Sequence, residues 1–135
     1  MNKLLILFVS LFLVGCSSST RGVKLELNLE NDENLGYVWR CYSSDEEIIT
    51  ITEENYLSDD MSDSEYTATL GVYQFKFSSV SVGEVQIICE YTDGSEDDNL
   101  YNIVYSLVVD RNKFINLLDK SGSYFKEEIP NPIFR

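Results

Sequence analysis

Gly36-Tyr37-Val38-Trp39, Gly71-Val72-Tyr73-Gln74-Phe75-Lys76-Phe77 and Gly83-Glu84-Val85-Gln86-Ile87-Ile88-Cys89-Glu90-Tyr91 are three stretches of one kind. Each opens on a glycine and then places large apolar side chains at every second position: Tyr37 and Trp39; Tyr73, Phe75 and Phe77; Val85, Ile87, Cys89 and Tyr91. A period of two marks a strand with one buried face. Val23-Lys24-Leu25-Glu26-Leu27-Asn28-Leu29 repeats the pattern upstream, and Asn31-Asp32-Glu33-Asn34 breaks it. Ile48-Ile49-Thr50-Ile51-Thr52 supplies a further strand, the second stretch extends back to Tyr66, and Tyr101–Val109 reads as the last strand. Short strands punctuated by turn residues, with no helical period between them, specify an antiparallel sandwich or barrel.

Three polar, acidic segments separate these strands. One surrounds residues 31–36, another spans Glu53 to Glu65, and the third is Asp93-Gly94-Ser95-Glu96-Asp97-Asp98, a turn-forming run. Beyond Asp110 the period changes. Phe114, Leu117 and Leu118 recur at helical spacing and Gly122 stands where a helix would be capped, so a short helix is expected there. Residues 123–135, with Pro130 and Pro132, read as an extended tail. There are no internal repeats.

The N-terminus is of another character. After Lys3 the chain is apolar from Leu4 to Val14, interrupted only by Ser10. The run is too short to span a bilayer, which takes about 20 apolar residues, and fits the core of an export signal. It ends in Leu13-Val14-Gly15-Cys16, followed at once by Ser17-Ser18-Ser19-Thr20, and this junction resembles the lipobox of bacterial lipoproteins. That resemblance implies cleavage before Cys16, acylation of its thiol, and a mature protein anchored to the cell membrane or surface by lipid without crossing it. The expected organisation is a leader over 1–15, a lipidated tether over 16–22, one domain over 23–110 and an extension over 111–135.

Composition narrows the function. The 135-residue chain has 23 acidic residues against 10 basic ones, and loss of residues 1–15 removes only Lys3, leaving a net charge of −14. Such a chain will not hold a nucleic-acid backbone, which requires a basic patch. Histidine is absent, which removes the commonest general base and zinc ligand and excludes Ser-His-Asp and Cys-His catalysis. The acids lie in polar runs and not within apolar strands, where a carboxylate pair with a raised pKa would be expected. No enzyme, no cofactor and no metal centre is expected. Three readings of the acidic loops stay open: plain solvation, a basic partner, and Ca²⁺, the last without any Asp-x-Asp-x-Asp-Gly spacing to favour it.

The glycine-led strands together resemble the chagasin-type family of cysteine-protease inhibitors, small immunoglobulin-like proteins. Gly36, Tyr37 and Trp39 match the end of that family's Asn-Pro-Thr-Thr-Gly-Tyr-x-Trp motif. Gly71, Phe75 and Phe77 match its glycine-led Phe-x-Phe strand, and Gly83, Ile87 and Tyr91 match its Gly-Thr-x-x-Ile-x-x-x-Tyr strand. The resemblance covers residues 23–110 and implies an all-β, immunoglobulin-like antiparallel β-sandwich with a short C-terminal extension. It also implies a monomeric inhibitor of papain-like cysteine proteases, which blocks the active-site cleft sterically with three loops around residues 31–36, 58–71 and 92–99. The implied contact residues are Asp32, Glu33, Asn34, Leu35, Gly36, Gly71, Asp93, Gly94 and Ser95. Asp32-Glu33-Asn34-Leu35 stands in place of Asn-Pro-Thr-Thr, and Asp93-Gly94-Ser95-Glu96 in place of the family's Arg-Pro-Trp. An adhesion or assembly lipoprotein that keeps the framework without inhibiting is the alternative. In the family's topology the strands of Cys41 and Cys89 are neighbours, which implies a disulfide; two buried thiols are the other reading.

Overall fold

The computed structural model describes residues 21–32, 36–57, 71–95 and 99–135. Nine strands follow in order: β1 (Arg21–Gly22), β2 (Lys24–Glu30), β3 (Val38–Ser43), β4 (Ile49–Leu57), β5 (Val72–Ser79), β6 (Gly83–Thr92), β7 (Asn99–Val109), β8 (Ile115–Gly122) and β9 (Ile133–Phe134). They form two antiparallel sheets, one in the order β1-β8-β7-β6-β3 and the other β4-β5-β2-β9. The all-β sandwich expected from the alternation is what the chain forms.

The alternating residues are the core. Leu25, Leu27 and Leu29 of β2 point inward opposite Phe77, Phe75 and Tyr73 of β5. From the facing sheet come Trp39 and Cys41, then Val85, Ile87, Cys89 and Tyr91, then Ile103, Tyr105, Leu107 and Val109. Every second residue of β2 faces water, where Glu26, Asn28 and Gln74 join in a hydrogen-bonded ladder. Burial of one face per sheet sets the register, since a slip of one residue would turn the whole apolar set outward. Among the described residues, no buried side-chain nitrogen or oxygen lacks a hydrogen-bond partner.

Two expectations are corrected. The helix expected around Phe114, Leu117 and Leu118 is instead strand β8, paired with β7 from Val109↔Ile115 to Ile103↔Gly122. Leu118 is the extra residue of a bulge and is 58% exposed, so the spacing that imitates a helix is a strand period with one residue inserted. A helix of this length is marginal in water, whereas β7 offers a full row of unpaired backbone groups. Gly122 therefore caps no helix. It ends β8 with φ +121°, where a Cβ would collide with the Asn102 carbonyl. The polar segment from Glu53 is likewise strand as far as Leu57: β4 is an edge strand with a bulge at Thr52, and only its start, at Ile49, is fully buried. The tail is extended as expected, and its end is built into the fold. Ile133 and Phe134 pair with Glu26 and Leu25, so residues beyond 110 contribute a strand to each sheet.

Candidate functional site at one end of the sandwich

Strand register places the roots of all three acidic segments at one end. Glu30 pairs with Val72, which pairs on its other side with Leu57, so β2 ends where β4 ends and β5 begins. In the other sheet Val38 pairs with Thr92 and Thr92 with Asn99, so β3 begins where β6 ends and β7 begins. The Asn31 N–H donates to the Gly71 carbonyl at 2.9 Å, joining the first root to the second.

An aromatic layer closes the core beneath these roots. Trp39, Tyr91 and Tyr101 stand in one cross-strand row, with ring centroids 4.9 Å apart for Trp39 and Tyr91 and 5.7 Å for Tyr91 and Tyr101. Tyr37 stacks on Tyr91 at 5.5 Å, and Tyr124 continues the layer 5.9 Å from Trp39. The polar tips of Trp39, Tyr91 and Tyr101 reach toward the loop side. The Trp39 Nε1–H donates to the Glu30 carbonyl at 3.1 Å. The Tyr91 hydroxyl donates to Asn31 Oδ1 at 2.8 Å, with the Asp32 carbonyl 3.2 Å away, and accepts the Asp32 N–H at 3.2 Å. The Tyr101 hydroxyl donates to the Asp32 carboxylate at 3.0 Å. Burial pushes the Tyr91 phenol up to about 12, with the neighbouring Asp32 charge adding to the rise. Tyr101 is raised by burial and by its bond to Asp32. Both phenols keep their protons at physiological pH, and the clamp on the first root persists.

The third root has its own order. Asp93 Oδ1 accepts hydrogen bonds from the Ser95 N–H and hydroxyl, both at 2.9 Å, and these hold its carboxyl below the usual range. The Gly94 N–H donates to Thr92 Oγ1 at 3.0 Å. Gly36 and Gly94, at φ +89° and +102°, occupy the left-handed region that glycine enters without strain. Gly71 stands immediately before β5, beneath the Tyr56 ring, against which any Cβ would press.

Of the residues singled out in the sequence, Asp32, Gly36, Gly71, Asp93, Gly94 and Ser95 lie at this end of the sandwich. Asp32 is bound to both Tyr91 and Tyr101, which ties the first root to the flanks of the third. Glu33, Asn34 and Leu35, the acids Asp59, Asp60, Asp63, Glu65, Glu96, Asp97 and Asp98, and Cys16 lie outside the described residues. Cys41 and Cys89 pair directly across β3 and β6 and form a disulfide, with Cα atoms 4.0 Å apart. Among the described residues no group of three or more acidic or cysteine side chains is placed to hold a metal ion. Sequence reasoning missed Tyr101, Tyr124, Phe125 and Lys126 at this end. Alternation flags Tyr101, but nothing local shows that the tail returns to the loops.

Comparison with solved structures finds the same architecture in the cysteine protease inhibitor EhICP2 from Entamoeba histolytica, at a TM-score of 0.53 and 16% identity, covering 64% of this chain and 78% of that one. At that identity the likeness is one of fold. No curated protein matches the sequence significantly. The profile of the chagasin family peptidase inhibitors, I42, matches residues 19–109, which takes in every strand from β1 to β7 and all three loop roots. The chain belongs to the chagasin family of peptidase inhibitors.

Proposed function

We propose that this protein is a lipid-anchored inhibitor of papain-like cysteine proteases, exported and held at the cell membrane or surface through acylated Cys16. The three loops rooted at residues 32 and 36, 57 and 71, and 95 and 99 enter the active-site cleft. The first of them, with Asn34 and Leu35 at its centre, lies over the catalytic thiol and blocks it without being cut. The observation that carries this reading is the clamp on the first root, where the buried Tyr91 phenol, the half-buried Tyr101 phenol and a backbone bond to Gly71 fix Asn31 and Asp32. A loop fixed before binding loses little conformational freedom on docking, so a modest contact area yields tight affinity. No covalent step is required of the inhibitor, in keeping with a chain that has no histidine.

The acidic loops favour a protease with a basic cleft rim, and such complementarity speeds encounter and weakens with salt. The test is inhibition of papain, and of cysteine proteases secreted by the same cell, by the domain from Ser17 onward at low and high salt. Stoichiometric, reversible and salt-sensitive inhibition is expected. No inhibition across the panel would refute the reading and leave an adhesion or assembly lipoprotein on the same framework. For the anchor, globomycin is expected to leave precursor accumulating and palmitate label lost; unchanged size and labelling would refute it.

A further inference from the structure

The chain beyond β8 is a strap that returns to the loop end. The Ser123 N–H donates to the Asn102 carbonyl at 2.7 Å, and Ser123 Oγ accepts the Asn102 N–H at 3.2 Å, so the chain leaves its sheet beside the start of β7. It rejoins the opposite sheet at β9, so it passes from one sheet to the other. The crossing is tied down: the Tyr105 hydroxyl donates to the Pro130 carbonyl at 2.7 Å, and Lys120 Nζ to the Ile129 carbonyl and Asn131 Oδ1, each at 2.7 Å.

Residues 124–126 all meet the neighbourhood of the first loop root. The Tyr124 hydroxyl accepts the Glu30 N–H at 3.1 Å, and Lys126 Nζ lies 2.6 Å from the Glu30 carboxylate. Glu30 is the last residue of β2, where the strand hands over to that loop. Between them, Phe125 packs its ring 6.0 Å from Tyr101, whose hydroxyl holds Asp32, and 4.8 Å from Tyr124. Phe125 is only half-buried, Lys126 is exposed, and its ammonium stands 5.8 Å from the Phe125 centroid. The family profile ends at residue 109, so this segment lies outside the matched region.

We infer that Phe125 and Lys126 form a fourth protease-contact segment beside the three loops, with Phe125 taking an apolar side chain of the protease surface and Lys126 flanking that contact. The inference rests on the inhibitor reading above. An aromatic ring on an already ordered backbone suits this role, because it brings contact area at small entropic cost and such residues dominate interface energetics. The half-exposed Lys126–Glu30 pair contributes little to folding, so Lys126→Ala separates binding from stability.

The experiment uses the full lipidated chain in detergent with papain and the secreted proteases. Phe125→Ala and Lys126→Ala are measured for inhibition constant and melting temperature, and benzoylphenylalanine at position 125 is irradiated in the complex. Expected are a loss of inhibition of about tenfold for Phe125→Ala, a smaller loss for Lys126→Ala with unchanged melting, and a cross-link from position 125 to the protease. Because Phe125→Ala also removes packing, the cross-link distinguishes contact from a bracing role. Both variants inhibiting within twofold of the parent, or no cross-link from an inhibiting complex, would overturn the inference alone. A parent chain that inhibits no protease of the panel would overturn it together with the inhibitor reading.

Discussion

Tyr91→Phe removes one oxygen from the centre of the loop end and leaves the packing intact. The ring keeps its neighbours, Tyr37 at 5.5 Å, Trp39 at 4.9 Å and Tyr101 at 5.7 Å, so no cavity forms. The Asp32 N–H loses its acceptor and Asn31 Oδ1 its donor at 2.8 Å, in a layer where Tyr91 is fully buried. Stranding such partners costs about 1–3 kcal/mol, and the loop root relieves part of this by moving toward water. Denaturant unfolding is therefore expected to give a loss of about 1–2 kcal/mol at an unchanged m-value. Inhibition is expected to suffer more than folding. A freed root must be ordered again on binding, and each 1.4 kcal/mol of that ordering is about a tenfold rise in the inhibition constant. Parallel measurement of unfolding midpoint and inhibition constant, parent against variant, decides the matter. If Tyr91→Phe matches the parent in both, the hydroxyl is not what fixes the first loop and the argument for a prepaid loop collapses.

Reduction of Cys41–Cys89, or the double Cys→Ala variant, opens a link across 48 residues, worth about 4 kcal/mol as loop-closure entropy; equal denaturation midpoints with and without dithiothreitol would contradict this. Gly122→Ala is expected to cost at least about 2 kcal/mol, from a positive φ and a collision with backbone that cannot swing aside, and a melting temperature equal to the parent's would show the position to be tolerant. In alkali the unfolded phenol loses its proton near pH 10 while Tyr91 holds its own to about 12. Stability should therefore fall between those values, by about 3 kcal/mol for this residue. Burial raises Tyr105 further, which adds to the same fall. A flat unfolding free energy from pH 9 to 11 would refute the assignment, and Tyr91→Phe should shallow the slope.

What the sequence discloses is what repeats at short range. Leu25, Leu27 and Leu29, or Val85, Ile87, Cys89 and Tyr91, name their face by alternation alone, and each set is buried as that period requires. Where a single residue is inserted the signal inverts: Leu118 turns the β8 strand into an imitation of a helix. The polar half of β4, from Glu53 to Leu57, reads as loop because an edge strand buries little, and its pairing with β5 is a tertiary fact. At the site, the positions of Asp32 and Asp93 follow from the family's loop pattern. The clamp does not, since Asn31 and Tyr91 are 60 residues apart and Asp32 and Tyr101 69. Tyr91 reads equally well as core, and it is core in its ring and site in its hydroxyl.

That double character explains how the family's framework persists here while its contact sequence does not. The first loop is held by its root through backbone groups and the side chains of Asn31 and Asp32, and the holding groups are tyrosine tips that belong to the core. The C-terminal segment, beyond the matched family region, acts on the same layer from the other side. β8 covers the edge that β7 would otherwise present, and β9 pairs with Leu25 and Glu26 of β2. An uncovered strand edge is a template for unwanted pairing, so these strands shield the positions they pair with. The strap that joins them delivers Tyr124 to Trp39 and Lys126 to Glu30. A single run of chain adds a strand to each sheet and braces one loop root, and the cost of ordering that run is met by folding before any protease is encountered.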